Sequence, residues 1–146
     1  MRFSLIIDKN ADEEIIAKVH SASDLTDKIE NLVMSYCGED EIAVQGDYEI
    51  LRLKYEKICC ITVIDRKLYI VDTRGEKYRT WGTLSDAEDK LPSYFIRINK
   101  STIANEREIS SFRTTIGGGI DAVFKCGFRD YVSRRCFSEI KRRYKA

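Results

Sequence analysis

From residue 42 onward the chain is a series of short β-prone runs, at 42–45, 48–53, 58–63, 68–72 and 77–81, rich in Ile, Val, Tyr and Thr. Gly46 with Asp47, then Asp65, Arg66 and Lys67, then Arg74, Gly75 and Glu76 separate them, and these residue types favour tight reversals. Serial short strands with polar turns predict an antiparallel meander. Thr83 or Ser85 can cap a brief helix over about 84–90, which Pro92, the only proline, stops. Three further strands are expected at 108–115, 120–126 and 128–132, with Gly117, Gly118 and Gly119 supplying a turn that permits positive φ. That glycine run lacks the following Lys and Ser/Thr of a phosphate-binding loop. Ser133 then reads as the N-cap of a last helix reaching Tyr144, with Phe137 and Ile140 at the spacing of a core-facing stripe and Lys141, Arg142 and Arg143 on its other faces. The fold class expected is mainly β, α+β by content.

At 146 residues the chain has room for one domain, or one domain with a small appended module. Its 43% hydrophobic content supports a core, and 34% charged residues without a long like-charge block argue against disorder. No apolar run reaches membrane-spanning length, and the first seven residues lack the pattern of a signal peptide, so a cytoplasmic protein is expected. The formal net charge of +1 conceals a division. Residues 1–49 carry 4 Lys and Arg against 12 Asp and Glu, a net of −8, while residues 50–146 carry 21 against 12, a net of +9. A split of that kind directs the body, not the head, toward a polyanion.

Within the head, 2–7 and 14–20 have strand character, with a polar connection in which Asn10 supplies the turn. A helix starting near Asp12 is the competing reading. Ser21 and Ser23 are start signals for a separate helix with Asp24 and Asp27 in its first turn, running to about Tyr36, burying Leu25, Ile29, Leu32 and Val33, and ending at Cys37 and Gly38. Residues 1–47 are thus expected to form an acidic ββα extension, too short for a phosphoacceptor receiver domain.

Candidate chemistry is sparse. The five cysteines show no metal-ligand spacing, and Cys59 and Cys60, adjacent in a strand, are expected on opposite faces as small buried hydrophobes. His20, the only histidine, has no nucleophile or acid arranged near it in sequence, and the carboxylates are scattered. No catalytic residue, metal site or cofactor is expected.

Two stretches stand apart. The first, FIRINKSTIAN at 95–105, begins as a strand in which Arg97 faces away from Ile96 and Ile98, then stops at a polar knot of Asn99, Lys100, Ser101 and Thr102. An amide and a cation at a strand end suit base edges and phosphates. The second, VSRRCFSEIKRR at 132–143, puts Arg134 and Arg135 in the first turn of a helix, where the helix dipole disfavours cations. A bound anion would offset that cost, and arginine can clasp a phosphate or a guanine. From the residues alone, DNA contact and a local ion pair are equally supported there.

Together these stretches resemble the LytTR family of bacterial DNA-binding domains, through Phe95, Arg97, Asn99, Lys100, Ser101 and Asn105, then Ser133, Arg134 and Arg135. Family members often have histidine where this chain has Asn99, and usually tyrosine where it has Cys136. The resemblance covers about residues 48 to 146 and implies a mostly β, elongated domain that inserts loops into successive major grooves of double-stranded DNA. It implies Asn99 and Lys100 as central readers, with Ser101 beside them, Arg134 and Arg135 as a second contact, and the turn carrying Arg66 and Lys67 as a third. Arg97, Ser101 and Asn105 match the motif but have an equally good structural reading, in which Asn105 bonds the backbone that shapes the loop. The resemblance further implies a DNA-binding transcriptional regulator, dimeric or cooperative on paired repeats, and a small regulatory membrane protein as partner. The alternative is a protein-interaction module of the same fold acting through the acidic head.

Overall fold

The computed structural model describes residues 1–35 and 40–145. Ten strands, three α-helices and two short 3-10 turns make up the described regular structure. In chain order they are α1 (Asp24–Ser35), β1 (Glu41–Gln45), β2 (Ile50–Lys54), β3 (Ile58–Ile64), β4 (Lys67–Asp72), β5 (Lys77–Arg79), α2 (Leu84–Lys90), β6 (Phe95–Asn99), β7 (Thr102–Asn105), β8 (Ile109–Thr114), β9 (Ile120–Phe124), β10 (Arg129–Val132) and α3 (Arg134–Lys145).

Seven strands form one antiparallel sheet in the order β2-β1-β5-β4-β3-β7-β6, and β10-β9-β8 form a second. The larger sheet is more than the expected meander. Strands β3, β4 and β5 follow one another, but β1 joins beyond β5 at the single pair Gln45 with Arg79, and the β6–β7 hairpin joins on the other side through Thr62 with Thr102 and Ile61 with Ile103. The inner strand β3 is largely apolar and mostly β-branched because both of its faces are covered. On one face, Ile58, Ile61, Ile70, Phe95 and Ile103 pack with Leu84 and Ala87 of α2. On the other, Val71, Ile96, Ile98 and Ala104 meet Ala122 and Phe124 of the small sheet and Ile140 of α3.

The bulge between Ile58 and Cys60 changes the expected register. It turns Cys59 and Cys60 into the same apolar cluster, against the small sheet, where plain alternation placed them on opposite faces. Cys59 Sγ lies 3.4 Å from Cys126 Sγ; hydrogen bonding with Cys60 and then burial push the Cys59 thiol up from the usual range, and burial pushes the Cys126 thiol up.

Local chemistry sets the helix ends. Thr83 Oγ1 accepts from the Asp86 backbone N–H, and Asp86 Oδ2 accepts from the Thr83 N–H, both at 3.2 Å, a reciprocal capping box for α2. Leu91 is extended, at φ −75° and ψ 146°, as the residue before a proline prefers. Ser133 caps α3 as expected, its Oγ accepting from the Cys136 N–H at 3.2 Å.

The head departs from its expected form. Helix α1 starts at the predicted serines, with the Ser23 N–H donating to Thr26 Oγ1 at 2.8 Å. No strand is found at 2–7 or 14–20, so of the anticipated ββα unit the structure holds the helix. Asn10 does sit in a turn, donating its N–H to Asp8 Oδ1 at 3.0 Å, but no ladder forms across it. Leu25, Leu32 and Val33 of α1 are exposed, and Ile29 is half-buried. A two-stranded ribbon without an apolar layer to cover it is marginal in water, which is the physical reason the periodicity alone misled. The predicted helix stop at Tyr36, Cys37 and Gly38 lies outside the described residues. Strand β1 precedes residue 48, yet it pairs along its length with β2.

Candidate nucleic-acid interface

The stretch 95–105 folds as a hairpin, β6 and β7, with Lys100 and Ser101 at its tip. Beyond the knot, where no strand was expected, β7 completes the hairpin. Arg97 shapes the tip from one side, its guanidinium donating to Lys100 O at 3.2 Å and pairing with Glu88 of α2 at 3.1 Å. Lys100 is exposed and has no carboxylate partner among the described residues, while Ser101 is half-buried.

Asn99 takes a different place from the one expected of a base reader. Its side chain is 1% exposed. Its amide donates to Asp130 Oδ2 at 3.2 Å and to Tyr131 O at 2.8 Å, and its Oδ1 accepts from the Ser101 N–H at 2.8 Å. Both amide hydrogens are therefore spent inside the protein, and Asn99 acts here as the brace that fixes Ser101 and, through it, the tip. Asn105 is equally buried at the other end of β7, donating to Ile58 O at 2.9 Å and accepting from the Arg107 N–H at 3.0 Å, in line with its structural reading.

Asp130 is the functional-site residue that the sequence reading missed. Its Oδ2 accepts from Thr102 Oγ1 at 2.6 Å as well as from Asn99, and its Oδ1 from the Tyr131 N–H at 2.9 Å. Thr62 Oγ1 lies 2.8 Å from Thr102 Oγ1, and because the Thr102 hydrogen goes to Asp130, Thr62 is the donor. One carboxylate thus ties the β6–β7 hairpin to the small sheet. A signal existed: Asp130 alternates with Val132 in β10, so a strand that buries Val132 must also turn that carboxylate inward.

The same ties carry the start of α3 to the tip. The Ser133 N–H donates to Ile98 O at 2.8 Å, directly after Tyr131 O has accepted from Asn99. Arg134 and Arg135 follow at once and are exposed. Arg135 has only a 4.0 Å approach to Glu139 one helical turn on, its side chain 90% accessible, so the local ion pair weighed above contributes little.

The third element comes from β3–β4. The Val63 N–H donates to Ser101 O at 2.9 Å, so the turn that follows Ile64 lies beside the β6–β7 tip. Asp65 and Arg66 both have positive φ, 50° and 65°, the geometry of a two-residue hairpin turn whose twist suits the flanking strands. Arginine is an unusual residue there, at a cost of about 1 kcal/mol relative to glycine. Arg66 and Lys67 are exposed and, like Lys100 and Arg134, have no carboxylate partner among the described residues. Elsewhere in the body arginines do find carboxylates, as Arg129 with Asp121 at 3.1 Å and Arg143 with Glu106 at 3.4 Å. Register and hydrogen bonding therefore bring Lys100, Ser101, Arg66, Lys67, Arg134 and Arg135 to one end of the molecule. Among the described residues no group of three or more His, Cys, Asp or Glu is placed to hold a metal ion.

Comparison with known proteins bears on the family and the fold. Two regulators from strains of Staphylococcus aureus, described as HTH-type transcriptional regulators, are 28% and 27% identical over 146 residues, with 98% of this chain and 97% of each relative covered. A solved LytTr DNA-binding domain of a putative methyl-accepting/DNA response regulator from Bacillus cereus superposes with a TM-score of 0.65 at 20% identity, covering 72% of this chain and 96% of that one. The model of the LytTr DNA-binding domain matches residues 48–145, and the chain belongs to the LytTR family.

Proposed function

We propose that this protein is a cytoplasmic, sequence-specific transcriptional regulator that grips double-stranded DNA through the end of the molecule where the two hairpin tips and the start of α3 converge. The observation that carries the reading is that convergence: exposed Lys100, Arg66, Lys67, Arg134 and Arg135 on three segments locked together by buried hydrogen bonds. Lys100 and Ser101 enter the major groove from a rigid tip, and Arg135 makes the second approach from the amide-rich start of α3, where phosphate is also favoured. Arg134, Arg66 and Lys67 hold the flanking phosphates and set the register. Asn99 serves as the brace behind Lys100 and not as a reader. Two such proteins on paired repeats complete the proposed mode of binding.

The test is binding of the purified protein to its own upstream DNA and to an unrelated fragment across a salt series. Preference for the upstream fragment is expected, with the logarithm of affinity falling by about 0.9 per neutralised phosphate against the logarithm of salt. Lys100→Ala should erode the preference, while Lys67→Ala should weaken both fragments alike and flatten the salt slope by about one phosphate. Equal, weak binding to both fragments by the unaltered protein would overturn the reading in favour of a protein-interaction module.

A further inference from the structure

Of the sixteen large apolar side chains exposed among the described residues, eleven fall before residue 34. Phe3, Leu5 and Ile7 are 87%, 74% and 83% exposed, and they stand at alternate positions, so in a strand all three share one face. Among the described residues, the one backbone hydrogen bond made by residues 1–22 is the turn closure from the Ala11 N–H to Asp8 O at 3.4 Å. The segment therefore presents an apolar face and an unpaired backbone edge together, the combination that recruits another strand.

We infer that the occupant is the same segment of a second copy, paired antiparallel about a two-fold axis at Leu5. The sequence itself selects this register. Residues whose numbers sum to ten then face each other: Phe3 with Ile7, Leu5 with Leu5, and Arg2 with Asp8, twice by symmetry. An aromatic with a β-branched partner and an opposite-charge pair are both favourable cross-strand neighbours. The apolar face of the resulting ribbon holds Phe3, Leu5 and Ile7 from each copy, and the self-complementary contact closes as a dimer.

The alternative within one chain is poorer. Folding 14–20 back across the Asn10 turn so that Phe3, Leu5 and Ile7 face Val19, Ala17 and Ile15 sets Asp8 against Glu14 and Arg2 against His20, and matches opposite charges only at Lys9 with Glu13, beside the turn. A bare two-stranded ribbon needs an apolar layer, and α1 offers one in Leu25, Leu32 and Val33, all exposed. One ribbon built from two copies, covered by a helix from each, gives both sets of side chains a place. The net charge of −8 on each head opposes the association, so apolar burial has to drive it.

The experiment is light scattering on the full-length protein without DNA, over a range of protein and salt concentrations. A dimer that persists at high salt is expected. Arg2→Asp or Asp8→Arg alone should weaken it about tenfold, since each turns two attractive pairs into two repulsive ones. Mixing the two variants in equal amounts should restore dimers containing one of each, because every position two then faces an opposite charge at position eight. A monomer at all concentrations would overturn the inference, leaving the face to the chain's own α1 or to another protein. So would a dimer indifferent to both substitutions, a mixture no better than its parts, or an association abolished by salt, which would mean the acidic head docking on a basic body. The inference completes the paired binding proposed above but is read without DNA, so its failure leaves the Lys100 and salt-series result standing.

Discussion

The body and the head of this chain contain similar β-prone writing with opposite outcomes. In the β6–β7 hairpin, alternation places Ile96 and Ile98 in the core and Arg97 on the opposite face, and the polar groups left over at the tip are satisfied by Asp130 and by backbone. In residues 1–22 the alternation of Phe3, Leu5 and Ile7 is just as regular, yet these side chains stand in the open. Periodicity states which residues want a common face. It does not state what covers that face, and in the body the cover is a second sheet and a helix from much later in the sequence.

The sharpest test of the contrast removes bulk from that cover. Phe124 is 2% exposed between the two sheets, and Phe124→Ala should lower unfolding stability by about 4 kcal/mol, through lost burial and the cavity left behind. Thermal or urea unfolding measures it. If the loss is below about 1 kcal/mol, the two sheets are not one cooperative core.

Asp130→Ala probes the polar part of the same join. It strands the Asn99 amide and the Thr102 hydroxyl in a largely buried site, and a loss of about 3 kcal/mol is expected because the acceptor they lose is a carboxylate. The β6–β7 tip should also lose its fixed position, so DNA affinity should drop further than unfolding alone explains. A variant that remains folded at room temperature and binds DNA at full strength would remove the bracing role assigned to this network.

These two residues also show where legibility in the sequence ended. The order of strands β1 to β6 and β8 to β10, the α2 helix with its threonine cap and proline stop, and the Ser133 cap were readable because each depends on local chemistry, whereas β7 was missed because the strand was expected to end at the polar knot. The pairing of β1 with β5 and of β3 with β7 was not, since register between distant strands is chosen by the whole core. The bulge that sends Cys59 and Cys60 the same way left no local mark either. At the candidate interface, Lys100, Arg134, Arg135, Arg66 and Lys67, expected from the sequence as DNA contacts, are exposed cations in the structure. Asn99 looked equally available, because sequence gives residue type and spacing but not the partner, and the partner was Asp130, 31 positions away. The head failed for the complementary reason: its strands were expected from a period whose apolar face no described residue covers.

Lys100→Ala and Arg135→Ala separate presentation from support. Both side chains are exposed, so unfolding stability should change by no more than about 0.5 kcal/mol. Specific DNA affinity should fall by about 2 kcal/mol for each, roughly thirtyfold. If either change costs stability instead of affinity, that residue belongs with Asn99 and Asp130 as part of the support.

Arg66→Gly should move stability and binding in opposite directions. Glycine relieves the positive φ of 65° at little cost, so despite its looser unfolded chain the hairpin should gain up to about 1 kcal/mol in stability. The same change removes a cation beside the tip and should weaken DNA binding several-fold, more at low salt than at high. Equilibrium unfolding and a salt series on one purified variant read both. A gain in stability with unchanged affinity would show that the strain is incidental.

The smallest expected effect lies in the head. Leu5→Ser removes an apolar side chain that is 74% exposed within one chain, so at protein concentrations low enough to keep the chain monomeric, unfolding of the body should shift by less than about 0.5 kcal/mol. The same truncation at a buried β-sheet position would cost several times more, which makes the comparison with Phe124→Ala quantitative. A loss above about 1 kcal/mol that grows with protein concentration would mean that the head contributes stability only once it is covered by another copy, because the contribution of an association to stability follows mass action. A loss of that size independent of concentration would instead place the cover within the chain, and the exposed alternation of Phe3, Leu5 and Ile7 would then have the same explanation as that of Ile96 and Ile98.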